Sequence, residues 1–189
     1  MAGIKLLVGL GNIGHKYIAT RHNAGFWWVN QIATQTSTPL VPDAKFFGVT
    51  GKLAQDKYLI KPNTFMNASG KAVAAIANYY KIAPAEILVI HDELDLPAGS
   101  AKLKFGGGHG GHNGLKDIHA ALGTPDYWRL RIGIGHPGDR NEVINFVLKA
   151  PLKDEQTAID EAINQSALCL DYLLAGDFEN AMLKLHTKK

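Results

Sequence analysis

Two short segments of the chain carry side chains that could perform acid–base chemistry. Residues 20–23 read Thr-Arg-His-Asn, and residues 91–95 read His-Asp-Glu-Leu-Asp directly after an apolar run. A hydrolase without a metal or an activated nucleophile needs a base for water, and histidine titrates near neutral pH. A carboxylate bonded to the second ring nitrogen fixes the tautomer of such a histidine. The residue types fit water activation, but local pattern alone does not pair His22 with Asp92, and each is also a common loop or capping residue.

A glycine pattern precedes the first of these segments. Residues 9–14 read Gly-Leu-Gly-Asn-Ile-Gly after a predicted strand, which matches the G-x-G-x-x-G pattern of dinucleotide sites. Such a site needs a helix that opens on the third glycine and an acid about 20 residues onward. No acid occurs before Asp43, and the polar residues 20–23 delay the helix. We therefore expect a glycine-rich turn and no nicotinamide or flavin, with Asn12 and His22 facing the crevice beyond the strand.

The most unusual segment is the glycine-histidine run at residues 106–114. Six of its nine residues are glycine. So many glycines indicate positive φ angles, close approach to a ligand or a mobile lid, although a flexible linker is the plainer reading. His112 and Asn113 lead into a helix as capping residues. The spacing of His109 and His112 could suit a metal, but there is no His-Glu-x-x-His motif and no cysteine cluster, so we expect no metal and no other cofactor.

Positive charge is concentrated in parts of the chain. Residues 1–42 contain three basic and no acidic side chains, while residues 151–189 contain four basic and seven acidic ones. Two predicted strands carry alternating cations that could together clamp a phosphate: Lys102, Lys104, Arg129 and Arg131. A polyanionic partner is one reading of these strands, and an ordinary solvated face is the other.

The apolar periodicity predicts the elements that position these groups. Strands are expected at residues 4–10, 46–54, 57–61, 87–90, 101–105 and 130–134, with the second and third forming a hairpin. Helices are expected at residues 26–32, 69–82, 115–122, 154–174 and 178–186, and Pro84 should end the second. Alternation of strands and helices with one hairpin predicts an α/β fold with a mixed sheet.

Length and composition limit the possible classes of protein. The chain has 189 residues, of which 46% are hydrophobic, so we expect one domain over residues 1–189. No apolar stretch is long enough to span a membrane and no signal peptide is recognisable, which predicts a cytoplasmic protein without a membrane partner. The single cysteine, Cys169, lies in a leucine-rich helical stretch and is expected in the core.

Taken together, five motifs resemble those of bacterial peptidyl-tRNA hydrolase, in that family's order. They are residues 9–12, 20–23, 65–70, 91–95 and the glycine-histidine run, and the similarity extends from residue 4 to about residue 150. The resemblance implies a three-layer α/β/α domain with a mixed, mostly parallel central sheet that acts as a monomer. It also implies hydrolysis of the ester between an N-blocked peptide and the 3′-terminal ribose of tRNA, a ribosome-rescue step in translation.

The resemblance also assigns roles to individual residues. His22 matches the family's catalytic base and Asp92 the carboxylate that orients it. Three amides match those that hold the peptide, the ester and the attacking water, without a settled division of labour: Asn12, which we count with the catalytic residues, Asn67 and Asn113. The peptide groove is implied at Tyr17, Phe65 and Met66, and tRNA contacts, including the 5′-phosphate and acceptor stem, at Lys104, Arg131 and Arg140. One departure is Ile13, where the family usually has proline, which makes the turn after Asn12 less rigid.

Two other functions compete with this hypothesis. A noncatalytic RNA-binding module could use the same basic strands, and it would bind tRNA without cleaving an ester. An amidohydrolase or aminopeptidase acting on free peptides would not need the tRNA body. A serine hydrolase is disfavoured because Ser69 does not lie in a Gly-x-Ser-x-Gly elbow.

Overall fold

The fold has three layers, and the central layer is a sheet whose middle strands run parallel. The computed structural model of the chain describes residues 2–186, and within them seven strands form one sheet in the order β2-β3-β4-β1-β5-β7-β6. The four central strands β4, β1, β5 and β7 run parallel, whereas β2, β3 and β6 complete antiparallel pairs at the two edges. The strands are β1 (Leu6–Gly9), β2 (Val41–Asp43), β3 (Gly48–Ala54), β4 (Lys57–Pro62), β5 (Ile87–Glu93), β6 (Ala101–Phe105) and β7 (Trp128–Gly133).

Helices cover both faces of this sheet. They are α1 (Ala24–Gln35), α2 (Ser69–Tyr80), α3 (Asn113–Leu122), α4 (Val143–Val147), α5 (Lys153–Ala167), α6 (Leu170–Ala175) and α7 (Phe178–His186). Successive strand residues point to opposite faces, so Leu7 packs in one apolar cluster with α1, α5, α6 and α7, while Leu6 and Val8 pack in another with α2 and α3. The expected α/β fold with a mixed sheet between two helical layers is confirmed.

Several predicted boundaries are wrong. The expected long helix over residues 154–174 is two helices, because the chain tightens after α5, where the N–H of Cys169 bonds to the carbonyl of Ser166 at 3.0 Å. Helix α2 ends before Pro84, since Lys81 adopts a left-handed conformation with φ of 56°. Strand β5 continues through Glu93, so His91 and Asp92 lie within the strand. The short elements β2 and α4 were not expected. Cys169 is buried, as predicted.

Residues 2–186 contain no helix that combines the length and the apolar character needed to cross a membrane.

Candidate active site

Helix α1 begins against the ends of two strands because two glycines allow it. A Cβ atom on Gly25 would lie 2.3 Å from the carbonyl oxygen of Ile90 and 2.4 Å from the backbone nitrogen of Leu10. A Cβ atom on Gly9 would lie 2.3 Å from the carbonyl oxygen of Gly25. Any larger residue at either position would push the helix off the sheet. The close contact brings the single helical turn at residues 21–23 over the end of β5.

Asp92 is the centre of the polar cluster at this end of the sheet. It is only 3% exposed, and its two carboxylate oxygens bond to two different histidines. Oδ2 lies 2.8 Å from Nδ1 of His22, and Oδ1 lies 2.8 Å from Nε2 of His112. The pairing of His22 with Asp92, which local pattern could not supply, is therefore present in the fold.

The hydrogen bonds around Asp92 determine where the histidine protons are. Nδ1 of His112 accepts bonds from the backbone N–H groups of Gly114 and Leu115, as the N-cap of α3, so Nε2 must carry the proton that is donated to Asp92. Because Asp92 is ionised and accepts only, Nδ1 of His22 donates as well. The remaining ring nitrogen of His22, Nε2, then has a free lone pair, and no hydrogen bond within residues 2–186 occupies it.

Burial and hydrogen bonding act in opposite directions on these titratable groups. Burial alone would raise the pKa of Asp92, but the charges and hydrogen bonds of His22 and His112 outweigh it and hold that pKa well below its usual range. Burial would lower the pKa of His22, yet the charge and hydrogen bond of Asp92 raise it above its ordinary value. The neighbouring His91 is buried and lies beside His112, and both effects lower its pKa to about 4.

Asn12 is held in place from three sides. Its backbone N–H donates to Oδ1 of Asn23 at 2.8 Å, and its carbonyl accepts from Nδ2 of the same side chain at 3.0 Å. Its own Oδ1 accepts from the backbone N–H of Met66 at 2.7 Å. These contacts fix the orientation of the amide, and no hydrogen bond within residues 2–186 uses Nδ2 of Asn12, a residue that lines the cleft. The predicted amides Asn67 and Asn113 line the same cleft.

A cleft of about 860 Å³ opens above Asp92 and the two histidines. Phe65 and Met66, for which the resemblance implies a peptide groove, form part of its lining. Tyr17, implied in the same groove, contacts Phe65 edge-to-face at 6.3 Å between ring centroids and is not among the residues that line the cleft. The short helix α4 and the residue after it form another wall. The apolar side chains of that wall are Val143, Ile144, Val147 and Leu148.

A buried arginine next to His22 connects this wall to the turn at residues 21–23. The guanidinium of Arg21 donates to the carbonyl of Phe146 at 2.9 Å, pairs with Glu155 at 3.0 Å and stacks over the Phe146 ring at 3.8 Å. The backbone N–H of Arg21 donates to the carbonyl of Lys149. The position of α4 is thus coupled to the turn that carries His22.

The basic side chains of β6 and β7 do not all point to solvent. Arg129 is 2% exposed, and its guanidinium donates to the carbonyls of Gly107, Gly108 and Pro125. The expectation that Arg129 joins a phosphate clamp is therefore wrong, because the glycine-histidine run folds back over it and uses its donors.

The other predicted tRNA contacts are more accessible. Lys104 is exposed, near Gly107, on the face of the sheet that also carries Arg129. Arg131 is half-buried and pairs through Nε with Glu93 at 2.8 Å, and no hydrogen bond from residues 2–186 occupies its terminal nitrogens. Arg140 is exposed and lines the cleft, whereas Lys104 and Arg131 lie outside its lining.

The donors around Asp92 fit a metal poorly. Within residues 2–186, the candidate ligand set is His22, Asp92 and His112, whose ligand atoms lie within 4.8 Å of one another. A neutral histidine that binds a metal through Nε2 carries its proton on Nδ1. Nδ1 of His112 instead accepts bonds from two backbone N–H groups, so metal binding would break the cap of α3. His109, the other histidine considered for a metal, lies beside His119 and accepts from the N–H of Gly111.

Comparison with known proteins identifies the family. The family model described as peptidyl-tRNA hydrolase matches residues 6–189. The chain belongs to the peptidyl-tRNA hydrolase family. A peptidyl-tRNA hydrolase of Methylobacillus flagellatus is 63% identical over 190 residues, and the match covers 100% of this chain and 99% of the relative. A peptidyl-tRNA hydrolase of Yersinia enterocolitica is 56% identical, and the match covers 100% of this chain and 98% of that relative. A crystal structure of the peptidyl-tRNA hydrolase of Acinetobacter baumannii matches with a TM-score of 0.96 and 44% identity, covering 100% of this chain and 97% of that one.

Membership of the peptidyl-tRNA hydrolase family confirms that the chain is an enzyme of translation that hydrolyses peptidyl-tRNA. Both competing functions, the noncatalytic RNA-binding module and the hydrolase of free peptides, are thereby set aside.

Sequence reasoning missed three parts of the site. His112 was expected as a helix cap, which is correct, but its bond to Asp92 was not foreseen. Asn23 belongs to the motif at residues 20–23 and has no predicted role, although it holds the Asn12 backbone. The apolar wall on α4 gave no periodic signal because the helix has only five residues.

Proposed function

We propose that His22 is the general base of peptidyl-tRNA hydrolysis and that Asp92 orients it. The observation that carries the proposal is the hydrogen bond between Nδ1 of His22 and the buried Asp92 carboxylate. That bond fixes the tautomer in which Nε2 can accept a proton, and it stabilises the imidazolium that forms. His22 lines the cleft, so a water molecule there can reach its free nitrogen.

The reaction then proceeds through two proton transfers. His22 removes a proton from water as the water oxygen attacks the ester carbon, and the carbonyl oxygen develops negative charge. The ester bond to the 3′ oxygen of the ribose breaks, and the proton on His22 passes to that leaving oxygen. Amide N–H donors stabilise the developing charge in this type of reaction, and we assign that role to Asn12, with Asn67 and Asn113 holding the water and the peptide.

One assay tests the substrate and the chemistry together. The enzyme is incubated with N-acetylaminoacyl-tRNA and with unblocked aminoacyl-tRNA, each with and without EDTA. We expect cleavage of the blocked ester alone, at a rate that EDTA does not change. Loss of activity in EDTA would contradict a base mechanism without a metal, and equal cleavage of both esters would contradict the substrate assignment.

The base role is tested by removing the ring. His22→Ala should lower kcat by about 10² to 10⁴, the usual contribution of a positioned general base, while circular dichroism and thermal unfolding stay close to wild type. His15→Ala is the matched control, because His15 is an exposed histidine outside the cleft lining and its removal should leave kcat unchanged. Near-wild-type turnover in His22→Ala would remove His22 from this role.

We further propose that Lys104 and Arg131 bind the 5′-phosphate of the tRNA and that Arg140 contacts the tRNA at the cleft. Lys104→Ala and Arg131→Ala should raise KM for a tRNA substrate more than for a short nucleotide ester, and flatten the salt dependence of binding. Lys52→Ala on the distant strand β3 is the control. Because Arg131→Ala also leaves Glu93 unpaired, Glu93→Gln is measured beside it. Equal effects on both substrates would argue against a phosphate contact.

For the chain as a whole, we propose a single domain over residues 1–189 that works as a monomer in the cytoplasm, where ribosomes release the substrate. The helices of both layers pack on one sheet, which favours a single cooperative unit. Light scattering should give the monomer mass, and urea unfolding followed by fluorescence and circular dichroism should give one coincident transition. A dimer or two separate transitions would contradict this proposal.

A further inference from the structure

Strand β5 is less supported at its catalytic end than along the rest of its length. Strand β1 ends at Gly9, which pairs with Ile90, and only one further backbone bond, from the N–H of Leu10 to the carbonyl of Ile90, continues that ladder. On the other side, β5 remains paired with β7 up to Glu93. The residues that follow Ile90 are therefore held by backbone pairing on one side.

The carbonyl of Asp92 faces the side where β1 is missing. Carbonyls along a strand alternate in direction. The carbonyl of Ile90 points toward β1, where it accepts from Leu10 at 3.1 Å, and the carbonyl of Glu93 points toward β7, where it accepts from Ile134 at 3.0 Å. By this alternation the Asp92 carbonyl points the same way as that of Ile90. Within residues 2–186 no backbone N–H donates to it on this side, since the ladder with β1 ends at the Leu10 bond to Ile90.

A side chain supplies the missing donor. Nδ1 of His91 lies 2.8 Å from the carbonyl oxygen of Asp92, so Nδ1 carries the proton and donates to it. His91 is 2% exposed, its ring packs edge-on against that of His112 at 5.1 Å, and its Nε2 is buried with no partner within residues 2–186. Burial and the neighbouring His112 lower the pKa of His91 to about 4, so the ring is neutral at pH 7, which suits a donor to a carbonyl.

We propose that His91 is a positioning residue of the hydrolysis, acting through the backbone of Asp92. Its Nδ1–H replaces the ladder bond that β1 would have made, and so it fixes the carboxylate that holds both His22 and His112. The inference rests on the proposed function, in which Asp92 orients the base. His91 itself does not touch the water or the ester and exchanges no proton during the reaction.

The proposal predicts a specific pattern of rescue. An asparagine at position 91 can place an N–H where Nδ1 lies, since both nitrogens are two bonds from Cβ, whereas glutamine places its N–H near the position of Nε2. His91→Leu, which has no donor, should lower kcat about 10-fold with little change in KM, because even a small displacement of catalytic groups raises the barrier of the reaction. His91→Asn should recover most of that loss, and His91→Gln should not.

The experiment measures kcat and KM of the four full-length proteins with N-acetylaminoacyl-tRNA, with thermal unfolding recorded to identify variants that fail to fold. Equal kcat in His91→Asn and His91→Leu, or recovery by His91→Gln instead, would overturn the proposal. Each substitution is also made in His22→Ala, where His91→Leu should add no further loss in kcat. An active His22→Ala enzyme would refute the proposed function, whereas an inactive one combined with failed rescue by His91→Asn refutes the role of His91 alone.

Discussion

The two functions of His112 can be separated by one substitution. Nδ1 of His112 caps α3, and Nε2 donates to Asp92, so a variant that keeps the cap but cannot reach Asp92 isolates the second contact. His112→Asn is that variant, because asparagine is among the best N-cap residues and its side chain is shorter than that of histidine. His112→Ala removes both contacts and serves as its comparison.

The expected loss in turnover follows from the bond to a charged acceptor. A hydrogen bond to an ionised group contributes about 1.5–3 kcal/mol, and each 1.4 kcal/mol in the barrier is about tenfold in rate. If the whole contribution stabilises the transition state, kcat falls by about 10-fold to 100-fold in both His112→Asn and His112→Ala. The two variants should differ in stability instead, by about 1 kcal/mol in the free energy of unfolding, since only alanine loses the cap.

The pH profile gives an independent check with a definite sign. As the proposed base, His22 must be neutral for turnover, and its pKa is already raised, so activity should fall as the pH drops through that value. Without His112, the Asp92 carboxylate loses one hydrogen-bond donor, so its negative charge stabilises the His22 imidazolium more strongly. The acid limb of kcat/KM should therefore move to higher pH in His112→Asn.

The assay is hydrolysis of N-acetylaminoacyl-tRNA between pH 5 and 9, together with urea unfolding at pH 7. A His112→Asn enzyme with kcat within about twofold of wild type, or with its acid limb moved to lower pH, would refute the reasoning that Asp92 works through both histidines.

Three further predictions concern stability. The pKa of His91 is about 4 in the folded chain and about 6.5 in the unfolded chain. The resulting contribution to the free energy of unfolding is therefore fully present above pH 6.5 and is lost as the pH falls toward 4, by at most about 3 kcal/mol. Urea unfolding at pH 7 and pH 5 should show a smaller loss of stability in His91→Asn than in the wild type. Arg129→Met should cost about 3 kcal/mol, because three carbonyls lose their donor, and hydrogen exchange should rise in residues 106–111. Trp28→Phe should cost about 1 kcal/mol through the lost 2.9 Å bond to Ser166, with kcat unchanged.

The sequence was sufficient for the features that depend on local pattern. The apolar runs and their alternation predicted the central strands, and the carboxyl ends of those strands predicted where Asn12, His22 and Asp92 would gather. The lack of an acid before Asp43 and the late start of the helix argue against a dinucleotide site at residues 9–14. Gly9 in this pattern instead allows the close contact between β1 and α1.

Features that depend on folding back of distant segments could not be read in this way. Arg129 alternates with Arg131 as an exposed cation would, and only the return of the glycine-histidine run over it makes it buried. The distance between His22 and Asp92 depends on the contact of Gly25 with Ile90, which joins parts of the chain about 65 residues apart. Helix α4 is too short for periodicity, and its position depends on Arg21.

The direction of the lone pair on His22 can be traced to backbone groups that never meet the substrate. The N–H groups of Gly114 and Leu115 fix the tautomer of His112, which then donates to one oxygen of Asp92. With that oxygen occupied, the other is directed to Nδ1 of His22, and Nε2 is left for the water. Because each link leaves one partner for the next, the proposed base is oriented before substrate arrives and would need little reorganisation during the reaction. Disturbing the start of α3 should therefore slow hydrolysis even where the cleft itself is unchanged.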